Sequence, residues 1–276
     1  MAIEAGYLGY AVVNGLKVRC TDFNVKMVQN VLFYDHIIGL RDSVPTSILG
    51  SKGDNASWNE QKIFYRPGTK IVEGSVSFPL LETSASAFYI DACKGNDINV
   101  DLFYGCHSGK EFKRCKVNTY SFTATAGEGG TVTASIMGID VEDGEDVEIY
   151  DTAEKIITWD EIKISGAGAN TGIVSLDFTI NNNCIPIYTA GNNISTPLLA
   201  KEIRVGMQAV TGSISFYNEI GPEDGFVESE EPRTITVKAG IFSATLTVLY
   251  QYPERSGQVP AYVRTIPFVG VGRAVT

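Results

Sequence analysis

Side chains able to make or break bonds are few in this sequence and badly spaced for it. Two histidines are present, His36 in the apolar run Tyr34-Asp35-His36-Ile37-Ile38 and His107 in a polar stretch beside Cys106. Neither stands near a nucleophile motif, so the sequence offers no base paired to a nucleophile. Cys93, Cys106, His107 and Cys115 gather metal-ligating types. Structural zinc pairs its ligands about two to four residues apart, and that spacing is missing. Cys106 and Cys115 flank a polar stretch and would bridge only if their Cα atoms came within about 7 Å across a hairpin. With Cys20, Cys93 and Cys184 they make an odd, scattered set of five, which reads as buried free thiols and not as a disulfide framework.

Other candidates fail on similar grounds. The run Gly166-Ala167-Gly168-Ala169-Asn170-Thr171-Gly172 lacks the Lys-Ser/Thr pair of a phosphate loop and precedes a strand pattern, so it reads as a connection. Glu219, Glu223, Asp224, Glu228, Glu230 and Glu231 lack the alternating oxygen ligands of a calcium loop and read as a solvated loop. Asp160 and Glu161 are adjacent, so on a strand they face opposite sides and do not form a carboxylate pair. The expectation is a protein without catalytic constellation, metal or cofactor, and not an enzyme.

Lys and Arg number 22 against 32 Asp and Glu, a net charge of −10 with pI near 4.8. Tight phosphate binding runs on clustered cations, so the acidic balance speaks against a protein that clings to nucleic acid, whereas contact without attachment is compatible. No apolar run reaches the ~18–20 residues that span a bilayer, and the start Met1-Ala2-Ile3-Glu4-Ala5-Gly6 carries no leader pattern. The expected setting is a cytosol, with no membrane partner.

The elements that would position any site are mainly strands, because apolar and polar residues alternate with period two while helical periodicity is nearly absent. The clearest runs are Ala11–Val18, Phe23–Phe33, Lys70–Leu80, Lys116–Ala126 and Thr131–Ile139. In the second half they are Glu161–Ser165, Ile173–Ile180, Gln208–Phe216, Arg233–Ala239 and Ser243–Tyr250. Gly127-Glu128-Gly129-Gly130 and Ala239-Gly240-Ile241 read as hairpin turns. One helix is predicted over Glu82–Lys94, with Ser84 and Ser86 near its start and Gly95 placed to stop it.

An internal repeat organises these elements. Glu73-Gly74-Ser75-Val76-Ser77-Phe78 recurs as Thr211-Gly212-Ser213-Ile214-Ser215-Phe216, and at the same offset Arg66 and Gly68 meet Arg204 and Gly206. Upstream, Asp22-Phe23-Asn24-Val25-Lys26 resembles Asp177-Phe178-Thr179-Ile180-Asn181. Each half is expected to close in a hairpin, Tyr120–Ile139 in the first and Thr234–Tyr250 in the second. The predicted architecture is therefore mainly β, with two tandem β-sandwich or partial-barrel domains at 1–145 and 146–276, one flanked by an α-helix. The acidic stretch Asp140–Asp151 divides them and reads as a solvated linker.

The repeated strands, the hairpin Ser121–Ala126 to Thr131–Gly138 and the single helix resemble bacteriophage tail tube proteins that carry two tube domains in one chain. The resemblance covers nearly the whole sequence. It implies a sandwich or partial barrel flanked by a helix, rings of six domains built from three chains, and stacking into a hollow tube in the virion tail for DNA passage. It implies assembly in the host cytoplasm, with the chain itself as main partner. The sheath or tail-terminator, baseplate and tape-measure proteins are further expected partners. Residues 218–232 depart from the pattern, being too acidic and too broken by Gly and Pro for the helix expected there.

The residues themselves fit a channel. On Lys70–Leu80 one face carries Val72, Gly74, Val76 and Phe78 while Glu73, Ser75 and Ser77 face away, and Thr211, Ser213 and Ser215 repeat this opposite Val210, Gly212, Ile214 and Phe216. These six polar residues are the lumen-facing candidates, since a wall of Ser and Thr hydroxyls with an occasional carboxylate, Glu73, would repel or ignore phosphates. Any half-exposed sheet also turns Ser and Thr outward, which is the competing explanation. The long segment Arg41–Lys70, with Asp42, Trp58, Phe64 and Tyr65, reads as an irregular loop and is expected to reach an adjacent ring. A two-domain adhesin or carbohydrate-binding protein is the alternative, although the 13 tyrosines are scattered and form no aromatic platform.

Overall fold

The computed structural model describes residues 9–34, 64–104, 107–144, 154–168, 172–188, 198–217, 231–251 and 263–275. Its first half contains strands β1 (Gly9–Val13), β2 (Leu16–Arg19), β3 (Asp22–Tyr34) and β4 (Phe64–Pro79), then helix α1 (Glu82–Lys94). Strands β5 (Ile98–Tyr104), β6 (His107–Thr125), β7 (Thr131–Gly138) and β8 (Asp140–Asp143) follow. The second half opens with a 3₁₀ turn at Trp159–Glu161 and continues with β9 (Lys163–Ser165), β10 (Ile173–Asn181), β11 (Ile185–Ile187) and β12 (Leu198–Leu199). It closes with β13 (Glu202–Arg204), β14 (Ala209–Tyr217), β15 (Arg233–Ala239), β16 (Phe242–Tyr250) and β17 (Val263–Gly270). The fold is mainly β, and α1 is the one α-helix among the described residues.

Alternation of apolar and polar residues forces one face of each strand inward, and strand pairing then sets the layout. In the first half the antiparallel order is β1-β5-β6-β7-β4-β3. In the second it is β9-β15-β16-β17-β14-β10, the same connectivity repeated. β6 and β10 pair antiparallel, Phe122 opposite Phe178, so both groups lie in one sheet of 15 strands. The short β12 adds a parallel bridge to β4, and β11 and β13 form a separate two-stranded sheet.

Helix α1 spans the residues its sequence predicts. Gly95 ends it in the left-handed region (φ 65°), donating its N–H to Asp91 O, a conformation that favours glycine. Its start differs from expectation: no serine caps it. Glu154 instead accepts from Thr83 N (2.6 Å), Ser84 N (2.7 Å) and Ser84 Oγ (2.6 Å), so a carboxylate beyond the acidic stretch satisfies the helix's open amides. Glu82 in turn accepts from Ile241 N in the β15–β16 turn at 2.8 Å.

The helix covers the seam between halves. Phe88 meets Phe78 at 5.2 Å, while Tyr89 lies 5.6 Å from Tyr120, 6.4 Å from Phe178 and 5.6 Å from Phe242. Phe122 stacks on Phe178 at 5.1 Å and on Phe242 at 5.6 Å. These rings are buried within one hydrophobic cluster that draws on both halves.

Several expectations are corrected. Phe64–Lys70 is not part of an irregular loop but the first stretch of β4, where Phe64 and Tyr65 lie in register with Tyr34 and Phe33. The start of the acidic stretch is strand β8, paired to β6, because Lys110 and Lys113 meet it with ion pairs to Asp143 and to Glu142, the latter at 2.6 Å. Asp160 and Glu161 sit in the 3₁₀ turn and not on a strand. Asp42, Trp58, His36 and Cys106 lie outside the described residues, as does nearly all of 218–232.

Candidate assembly face and joint

Strands β4 and β14 have matching neighbours, β3 and β7 for one and β10 and β17 for the other. Gly74 lies opposite Val25, and an added Cβ there would fall 1.9 Å from Asn24 O; Gly212 lies opposite Phe178, and a Cβ there would fall 2.3 Å from Asp177 O. Both glycines let a neighbouring backbone approach closely. On the other side, β7 and β17 are the matching partners: Gly138 abuts Val72 and Gly270 abuts Val210. Ser77 pairs its hydroxyl with Thr133 at 3.0 Å, and Ser215 does so with Thr265 at 2.9 Å.

These contacts correct two sequence alignments. The counterpart of Val25 is Phe178 and not Ile180, a slip of two residues that keeps the same face. The counterpart of the β6–β7 hairpin is β16 with β17, one strand later than the β15–β16 hairpin that sequence suggested. Tertiary pairing, not local similarity, decides both.

The lumen candidates all lie on the strand face turned away from Val72, Val76 and Phe78 or from Val210, Ile214 and Phe216, which are buried. Glu73 and Thr211 are exposed, Ser75, Ser77 and Ser213 are half-buried, and Ser215 is only 6% exposed. Cross-strand register lines up Asp22, Ser77, Thr133, Ser121, Thr179 and Thr211 in one row over β3, β4, β7, β6, β10 and β14. Within it Ser121 and Thr179 share a hydrogen bond at 2.9 Å, across the joint between the halves. Thr119 and Ser135 pair at 2.6 Å, and Ser213 donates to Asp177 at 2.5 Å. Four hydroxyl pairs on this face, Ser77–Thr133, Thr119–Ser135, Ser121–Thr179 and Ser215–Thr265, therefore satisfy each other.

The joint has a polar anchor that the sequence did not reveal. Asn182, fully buried just past β10, donates to Ala92 O of α1 and Val117 O of β6, both at 2.8 Å, and accepts from Gln208 Nε2 at 2.9 Å. Gln208 Oε1 accepts from Ala274 N at 2.8 Å. Asn182→Ala strands two buried carbonyls and an amide, and is expected to cost about 2 kcal/mol, measured by urea unfolding. A loss near zero would show that water replaces the amide.

Cys20, Cys115 and Cys184 are buried and Cys93 is half-buried, all four as free thiols. Burial pushes Cys20 and Cys115 up to about 12 and Cys93 and Cys184 up to about 11, so they stay protonated and poorly nucleophilic at neutral pH. No grouping of His, Cys, Asp and Glu able to hold a metal occurs among the described residues.

A duplicated strand order and a face carrying paired hydroxyls define the class as a duplicated β protein. The family described as phage tail tube protein matches residues 65–255, more than half of the chain. The chain belongs to the phage tail tube protein family, which places it in the virion tail as a structural component. Membership implies a non-enzymatic role, assembly into a tube and association with other tail components. A search of curated proteins finds no match.

Proposed function

We propose that the chain carries two tube units, at 1–145 and 146–276, and that three copies close into a ring of six units. Rings stack into the hollow tail tube through which DNA is ejected. The observation that carries this is the strand order β1-β5-β6-β7-β4-β3, repeated as β9-β15-β16-β17-β14-β10 and joined by β6–β10 pairing. A sheet that already continues from unit to unit inside one chain can continue between chains by the same pairing, leaving no open edge. The sheath or tail-terminator, baseplate and tape-measure proteins are the partners this role requires.

The row through Ser77, Thr133, Ser121, Thr179 and Thr211, with Glu73, Ser75, Ser213 and Ser215 on the same face, lines the channel in this reading. The paired hydroxyls Ser77–Thr133, Ser121–Thr179 and Ser215–Thr265 offer phosphates few free donors, and the acidic balance of the chain adds no attraction. DNA then slides without stopping.

Thr211→Lys is expected to slow ejection at low salt and to recover as salt rises. Each phosphate contact adds roughly −0.9 to the slope of log affinity against log salt. Thr211→Gln, uncharged, is expected to match wild type. Ejection of fluorescently labelled DNA from assembled particles checks this, and identical salt profiles for the Lys and Gln variants would remove Thr211 from the channel wall. Negative-stain microscopy of the purified chain tests the assembly itself: tubes or stacked rings are expected. Discrete monomers that bind glycans would favour an adhesin.

A further inference from the structure

The chain joins its own two halves with two pieces of the second: β10, which pairs with β6, and β12, which lies in the connection from β10 to β14 and pairs with β4. Their counterparts in the first half are β3 and the connection from β3 to β4. Among the described residues β3 pairs only with β4, where β10 pairs with both β14 and β6.

The acceptor site can be located by the repeat. In the first half β12 runs parallel to β4, with Leu198 beside Thr69 and Leu199 beside Lys70. Since Glu73-Gly74 matches Thr211-Gly212, the positions matching Thr69-Lys70 are Met207-Gln208. No strand pairs with these two among the described residues, and Met207 is 85% exposed, the most exposed of the large apolar side chains there. The site is nevertheless held in place. Asn183 Nδ2 donates to Met207 O at 2.7 Å from the β10 side, and the Gln208 amide is tied to Asn182 and Ala274.

We propose that Met207-Gln208 is the docking site for a second copy of this chain, which reaches it with the connection between its β3 and β4. This deepens the tube reading above and rests on it. The contact is head-to-tail, because the second half of one copy receives the first half of the next, and such a contact makes a closed ring when its rotation closes. Main-chain pairing at the strand lead-in supplies the bond, and burial of Met207 supplies an apolar contact.

A benzophenone amino acid placed at position 207 of the full chain, irradiated in assembled tubes, is expected to give chain-to-chain adducts that map within residues 35–63 of the second copy. Adducts confined to other segments, or none from a preparation rich in tubes, would overturn the inference and leave the tube reading standing. A wild-type preparation without rings or tubes would instead overturn the tube reading and this inference with it. Met207→Glu is expected to leave the melting temperature unchanged while raising the concentration needed for tubes by about tenfold or more, since a carboxylate is costly in a desolvated contact. Met207→Leu is expected to assemble normally. Assembly of Met207→Glu at wild-type concentration would contradict the proposal.

Discussion

Phe122→Ala is expected to lower the stability of the whole chain by about 3–5 kcal/mol, the range for truncating a buried aromatic ring. Phe122 is fully buried, and its ring stacks on Phe178 at 5.1 Å and on Phe242 at 5.6 Å, both contributed by the second half. Such contacts add to the area term. Because the cavity would open where the two halves share one core, urea unfolding is expected to remain a single transition shifted as a unit. Two separate transitions of which only one moves, or a loss below about 1 kcal/mol, would mean the ring is not the shared keystone its position implies.

Gly74→Ala and Gly212→Ala are each expected to cost about 3 kcal/mol, at the upper end for forcing an extra methyl into packed structure. The new carbon at 74 would fall 1.9 Å from Asn24 O and 2.4 Å from Val25 Cα. At 212 it would fall 2.3 Å from Asp177 O and 2.6 Å from Phe268 Cζ. The offending atoms are largely backbone of a paired strand, so relief requires β3 or β10 to move away. Gly129, with nothing within 4 Å of its would-be Cβ and no positive φ, is the control, and Gly129→Ala is expected to be nearly neutral. Similar denaturation midpoints for Gly74→Ala and Gly129→Ala would contradict the close approach that both halves display.

Much of the fold was legible because local rules agreed with tertiary ones. Helix α1 was bounded by Gly95 and its own composition, and the strands by alternation. The hexapeptide at Glu73 and Thr211 marked β4 and β14 because its glycine is demanded by neighbouring backbone in each case. What escaped was set by pairing at a distance. Strand β17 was missed, since Pro267 interrupts its pattern and argues against a strand in the middle of a sheet. With β7 it shares few identities, among them the threonine of the Ser–Thr hydroxyl pair and the closing glycine, Gly138 and Gly270. β8 looked like a linker because the lysines that neutralise it lie on β6, far away in sequence.

The polar candidates were read from alternation alone, which puts them on one face but does not reveal their partners. That Ser121 bonds Thr179, or that Asn182 staples α1 to β6, depends on the β6–β10 register, and no local pattern encodes it. Glu154 was hidden for the same reason: its role as helix cap depends on a return of the chain to the start of α1.

A cryo-electron microscopy map of tubes formed by the purified chain tests the central claim most directly. The predicted result is threefold rings with six sheet units around the channel, in which β3 of each copy continues the neighbour's sheet as β10 continues that of β6. A map with one copy per sixfold position, or with subunits meeting through surfaces unrelated to that pairing, would contradict it.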